Sequence, residues 1–140
     1  MSLNVTYIGE RAFRGCSSLK SATIPYGVKS IGDSAFSGCN GLTSVTLSDG
    51  VGGIGDFAFS ECDGLVSIFI PTSVARIGRS AFQGCHNLAT VTMSEGLSHI
   101  GDKAFRFCRI ESVSIPASVT HLGENVFDEK CTVLKAMGDK

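Results

Sequence analysis

Apolar positions along this chain follow two alternating rhythms. In LKSATI, LTSVTL, LVSIFI and LATVTM, beginning at Leu19, Leu42, Leu65 and Leu88, apolar and polar residues alternate with a period of two. That is the signature of short strands with one buried face. Between them stand compact runs with too few apolar residues for an amphipathic helix: IGERAFRGC, IGDSAFSGC, IGDFAFSEC, IGRSAFQGC and IGDKAFRFC. The Ile-Gly pairs start at 8, 31, 54, 77 and 100, and Leu-Gly follows at 122, so the spacing is 23 four times and then 22. A period in this range predicts a solenoid, because one unit cannot bury its own apolar face and stacked units can.

Each position in the unit has a physical task. The strand turns inward Ala22 and Ile24, Val45 and Leu47, Ile68 and Ile70, Val91 and Met93, and Val113 and Ile115. Pro or Ser ends it, and proline removes a ladder donor. The glycine after Ile suits a turn with positive φ. Asp or Glu follows that glycine at 10, 33, 56, 102 and 124, placed to cap a short helical turn. Ala and Phe of that turn point inward, and the Cys three residues after Phe lies on the same side. Parallel pairing between coils implies a rise of about 5 Å per unit. The expected architecture is an α/β repeat solenoid of about six coils. A parallel sheet lies on one face and short helical or 3₁₀ turns on the other.

Composition narrows the class. The chain has 140 residues, 43% hydrophobic and 18% charged, which suits one globular domain over 1–140. MSLNVTYIG opens in mid-repeat, and the chain reads as a fragment of a longer protein. A net charge of −1 gives no basic footprint for nucleic acid, and no apolar run is long enough to insert in a membrane. Asn4-Val5-Thr6 matches a glycosylation acceptor, a pattern common by chance.

Candidate chemistry is sparse. Cysteines stand at 16, 39, 62, 85, 108 and 131, each 23 apart. A stacked ladder holds their side chains parallel, which does not favour disulfides. No C-x-x-C pair suggests metal. A column of buried, reduced thiols is expected. His99 and His121 share one repeat position, about 5 Å apart across neighbouring coils. They read as a solvated pair, since no acidic or thiol ligand in that column completes a metal site. The repeats assemble no Ser-His-acid constellation, phosphate loop or H-E-x-x-H motif, so no catalytic, cofactor or metal site is assigned.

The outward face of the strands is more informative. Its columns are Ser21, Ser44, Ser67, Thr90, Ser112; Thr23, Thr46, Phe69, Thr92, Ser114; and Pro25, Ser48, Pro71, Ser94, Pro116. Hydroxyls suit β-structure and keep an exposed sheet soluble without any ligand. Phe69 interrupts that carpet, and an exposed aromatic is a candidate anchor for a partner. Thr23, Thr46, Phe69, Thr92 and Ser114 are therefore the candidate protein-binding face, rimmed by Tyr26, Asp49, Thr72, Glu95 and Ala117.

The recurring I-P-x-x-V-x-x-I-G-x-x-A-F-x-x-C run resembles the BspA-like class of leucine-rich repeats, from about Val5 to Cys131. The resemblance implies a right-handed coil with the parallel sheet on its concave face. It also implies a non-enzymatic adhesion or protein-binding module of a cell-surface or secreted protein. Partners would be host proteins, extracellular matrix or other surface proteins. A structural spacer with no ligand of its own remains the alternative. Ser48 and Ser94 depart from the motif's proline, and the last unit, VFDEKCTVLKAMGDK, drifts out of pattern.

Overall fold

The computed structural model describes residues 5–135, so Asn4 of the glycosylation triplet lies outside them. The chain winds as a β-solenoid of about six coils whose strands all pair in parallel. Two ladders run along it. The first joins six two-residue strands: β1 (Tyr7–Ile8), β3 (Ser30–Ile31), β5 (Gly53–Ile54), β7 (Arg76–Ile77), β9 (His99–Ile100) and β11 (His121–Leu122). Register places each Ile on the next, from Ile8 on Ile31 to Ile100 on Leu122. This ladder was not expected from the sequence, because two residues are too few to show an alternation.

The second ladder holds the strands that the alternation predicted. These are β2 (Ser21–Ile24), β4 (Ser44–Leu47), β6 (Ser67–Ile70), β8 (Thr90–Met93), β10 (Ser112–Ile115) and β12 (Thr132–Lys135). They pair only in twos: β2 with β4, β6 with β8, β10 with β12. Both interruptions fall where the incoming coil carries proline, Pro71 immediately after β6 and Pro116 immediately after β10. Proline has no N–H to offer the preceding strand. Where the incoming residue is serine, a bond forms: the Ser94 N–H donates to the Ile70 carbonyl at 3.2 Å and the Ser48 hydroxyl to the Ile24 carbonyl at 2.5 Å.

The turn side corrects an expectation. No helix or 3₁₀ segment forms among the described residues. In the first coil, Ala12, Arg14 and Cys16 donate to the carbonyls of Gly9, Arg11 and Phe13 three residues back. The intervening N–H groups of Arg11, Phe13 and Gly15 reach across to the Asp33, Ala35 and Ser37 carbonyls of the next coil, at 2.7–2.9 Å. A helix would keep every N–H within its own axis. Here alternate N–H groups point sideways, which requires left-handed residues. They are Arg11, Ser34, Phe57, Ser80, Lys103 and Asn125, with φ of 54–60°, and, four residues later in five coils, Gly15, Gly38, Glu61, Gly84 and Phe107.

Two further readings change. The glycine after Ile does not adopt positive φ; it makes room for the coil before it. A Cβ on Gly55 would meet the Asp33 nitrogen at 2.7 Å, and one on Gly78 the Asp56 nitrogen at 2.7 Å. The acidic residues cap no helix. The Asp33 carboxylate accepts from the Asp56 N–H of the next coil at 2.8 Å, Asp56 from Arg79 at 2.9 Å, and Asp102 from Glu124 at 2.9 Å.

The core lies between the ladders. Phe13, Phe36, Phe59, Phe82, Phe105 and Phe127 form one stack with centroids 5.1–5.5 Å apart and rings within 10° of parallel. Beside it the Cys39, Cys62, Cys85 and Cys108 thiols donate to the carbonyls of Phe13, Phe36, Phe59 and Phe82, at 3.1–3.2 Å. The cysteines are free, as expected, but only Cys39, Cys62 and Cys85 are fully buried; Cys16 is exposed at the first coil. Each buried Phe removes a large apolar surface from water, worth roughly 1.5–3 kcal/mol.

Candidate binding face

All five candidate residues, Thr23, Thr46, Phe69, Thr92 and Ser114, are exposed on the longer strands. Alternation places them outward because their neighbours are held inward: Ile68 and Ile70 flank Phe69 and are buried. Register sets Thr23 beside Thr46 and Phe69 beside Thr92. The interruption between β4 and β6 separates these two pairs. Phe69 is 56% exposed, a large aromatic held open to solvent on a rigid strand.

The Ser21, Ser44, Ser67, Thr90, Ser112 column is also exposed, and so are the rim residues Tyr26, Asp49, Thr72, Glu95 and Ala117. The third column is not. Pro71 and Pro116 are buried, and Pro25, Ser48 and Ser94 are half-buried. The Ser48 side chain in this column reaches the Ile24 carbonyl of the preceding coil.

Two features of this face were missed in the sequence. Leu134 stands in register with Ser114 and is 55% exposed, so the candidate column continues into the last coil as a second apolar side chain. Its signal was the alternation in TVLK, hidden by the extra residue before Cys131. The interruption between β8 and β10 also opens a groove. Its larger part, 480 Å³, is lined by Ala89, Thr90, Val91, Arg109, Glu111 and Ser112. An adjoining 280 Å³ is bounded by Thr92 and Ser114 of the candidate column.

The turn side gathers other polar groups. His86 Nδ1 lies 2.8 Å from Asp63 Oδ1, one coil apart, and Glu61 joins them with all three donor atoms within 4.8 Å of one another. Such a trio could in principle hold a cation; the His86–Asp63 pair already occupies two of its members. His99 and His121 sit as expected, in register with ring centroids 5.4 Å apart, and His99 Nδ1 is 2.8 Å from the Ser98 hydroxyl. Burial raises the Cys39 and Cys131 thiols above their ordinary value of 9.0 and Cys108 to about 12. Cys62 is raised by the neighbouring Cys85 thiol and then by burial. Protonated thiols are poor nucleophiles and poor metal ligands, so these four cysteines pack rather than react.

No helix among the described residues is long and apolar enough to cross a membrane. A family description, the BspA type leucine-rich repeat region, matches six copies over residues 6–135. A search of curated proteins finds no significant match. Among solved structures, the pneumococcal vaccine antigen PcpA is 31% identical with a TM-score of 0.72, covering 81% of this chain and 29% of its own. A leucine-rich cell surface protein of Faecalibacterium prausnitzii is also 31% identical, with a TM-score of 0.64 over 92% of this chain and 43% of its own. The leucine-rich repeat protein of T. pallidum is 30% identical, with a TM-score of 0.57 over 92% of this chain and 67% of its own. The chain thus spans less than half the length of the first two. The repeat period, the stacked Phe column, the parallel coils and these likenesses agree: the chain belongs to the BspA-type leucine-rich repeat family.

Proposed function

We propose that this chain is a non-enzymatic, protein-binding module of a cell-surface or secreted protein. It engages a host protein, extracellular matrix or another surface protein through the face of its longer strands. Phe69 carries the reading: it stands half-exposed in a column of short hydroxyls, on a strand whose inward residues are fully packed. Thr46 and Thr92 flank it, with Thr23 and Ser114 extending the contact. Anchors of this kind dominate many interfaces, and truncating one costs on the order of 2 kcal/mol or more. A surface setting is supported by the two relatives described as a vaccine antigen and a cell surface protein.

Binding to immobilised extracellular-matrix proteins and to whole host cells tests the reading. Phe69→Ala should weaken retention with the melting transition nearly unchanged. Phe57→Ala is the control, since Phe57 lies on the turn side beneath Arg79, 5.8 Å from its ring. Loss of binding with the Phe57 change alone would overturn the strand-face assignment. Apart from Phe69 and Leu134 the column holds only Thr and Ser, which favours the spacer as second reading; indifference to both substitutions would leave it standing.

A further inference from the structure

The residues that flank each cysteine form two columns of their own. Those after it are Ser17, Asn40, Asp63, His86 and Arg109, and those before it are Gly15, Gly38, Glu61, Gly84 and Phe107. In one place only do these columns bring carboxylates to an imidazole. Glu61 and Asp63 stand on either side of the buried Cys62, and His86 follows one coil later.

The coil spacing draws the three side chains together. His86 Nδ1 lies 2.8 Å from Asp63 Oδ1, and the donor atoms of all three residues lie within 4.8 Å of one another. Glu61 reaches this point against the preference of its backbone, since Gly15, Gly38 and Gly84 hold the same left-handed geometry without steric cost. Its carboxylate lies over Gly84, where a Cβ would collide with it, and Gly84 is itself buried. The Asn87 amide donates to the Asp63 carbonyl at 2.8 Å and fixes one coil against the other here. Arg109 of the following coil reaches Asn87 Oδ1 at 3.5 Å instead of a carboxylate. Among the described residues, neither Glu61 nor Asp63 is paired with lysine or arginine.

From this convergence we infer that Glu61, Asp63 and His86 form a site for a divalent transition metal of the zinc class. Zinc takes imidazole nitrogen and carboxylate oxygen at about 2.0–2.2 Å, so two ligands of one ion stand about 3 Å apart. The His86–Asp63 separation already suits an ion shared between them in place of a proton. Rotation of the exposed Glu61 side chain brings the third ligand in. Calcium is a poor fit, because it takes about six to eight oxygen ligands and this trio offers two carboxylates and a nitrogen. The Cys62 and Cys85 thiols are buried in the core, which leaves a ligand set of nitrogen and oxygen alone. Three protein ligands keep a further position open to water or to a side chain from another protein. None of the three belongs to the Phe69 column, so this site stands apart from binding at the strand face.

Calorimetric titration of zinc chloride into the metal-stripped 140-residue chain tests this. One ion should bind per chain, and the melting temperature should rise with zinc. Calcium chloride should do neither. Glu61→Gly is the discriminating variant: without zinc it should melt no lower than the unaltered protein, and it should lose the rise that zinc produces. His86→Ala should abolish the titration. Cys16→Ser and His99→Ala remove an exposed thiol and a second imidazole and should leave it unchanged. Cobalt in place of zinc should show no sulfur-to-metal charge-transfer band. Unaltered protein that takes up no zinc at millimolar concentration would overturn the inference. So would uptake that survives His86→Ala or Glu61→Gly undiminished, uptake lost with Cys16→Ser or His99→Ala, a sulfur band with cobalt, or calcium binding as tight as zinc.

Discussion

Two ladders hold the same coils together, one unbroken and one broken twice. The unbroken one uses strands of two residues and the broken one strands of four, so strand length does not decide continuity. What differs is how closely the backbones are allowed to approach. On the Ile-Gly side a missing Cβ admits the preceding coil, and the Phe stack, the Asp side chains and alternate N–H groups of the turns all reinforce the same spacing. On the longer strands there is no such glycine, and every proline withdraws a donor. The turn side carries the uninterrupted contacts between coils, and the strand face presents its hydroxyls and Phe69 to solvent.

The comparison can be broken most directly at Phe59, which is fully buried in mid-stack. Phe59→Ala should cost about 3–5 kcal/mol in a urea melt, and a loss under about 1 kcal/mol would remove the Phe stack from the core. Alkali attacks the same side more gradually. The thiols of Cys39, Cys62 and Cys108 are raised on folding, so above pH 9.0 the unfolded chain releases protons that the folded chain keeps. Stability is then fully present below that pH and falls as pH rises toward about 12, the folded value of Cys108. Urea midpoints across this range should decline, and replacing Cys62 and Cys108 with Ala should flatten the decline. A flat profile in the unaltered protein would count against a neutral thiol column.

A smaller and opposite effect is expected at Glu61. It adopts φ 58° where Gly15, Gly38 and Gly84 stand in other coils. Left-handed geometry costs a residue with a Cβ about 1–2 kcal/mol, partly offset by glycine's greater flexibility when unfolded. Glu61→Gly should therefore stabilise by about 0.5–1 kcal/mol, read by thermal melting. The smallest effect belongs to the strand face, where Phe69→Ala should change stability by less than about 0.5 kcal/mol. A larger loss would mean that Phe69 belongs to the packing of its strand and that the two sides are not so different.

Much of this was legible because stacked coils print their contacts at a fixed interval. The Phe and Cys columns, the inward residues of the longer strands and the outward Thr23, Thr46, Phe69, Thr92 and Ser114 stood where the period put them. The turn was not legible. An A-F-x-x-C run places the same side chains inward whether the backbone is helical or folded into successive turns; the difference lies in which N–H groups face the next coil, and side chains do not record that. Asp33 was misread for a related reason: its partner is the Asp56 N–H, 23 residues away rather than in its own turn. The prolines were noticed as a motif and not as gaps, since a missing donor matters only once the carbonyl opposite it is known.

Pro25, Pro71 and Pro116 alternate with Ser48 and Ser94, so the longer strands repeat every second coil while the Ile-Gly edge repeats every coil. The two edges therefore count differently when the gene changes length. Losing one interior coil leaves the Ile-Gly edge in step but sets two proline coils, or two serine coils, side by side. Losing or duplicating a pair leaves both edges in step. Inheritance in doublets is the route by which such a protein can be lengthened or shortened without meeting any contact it has not already made.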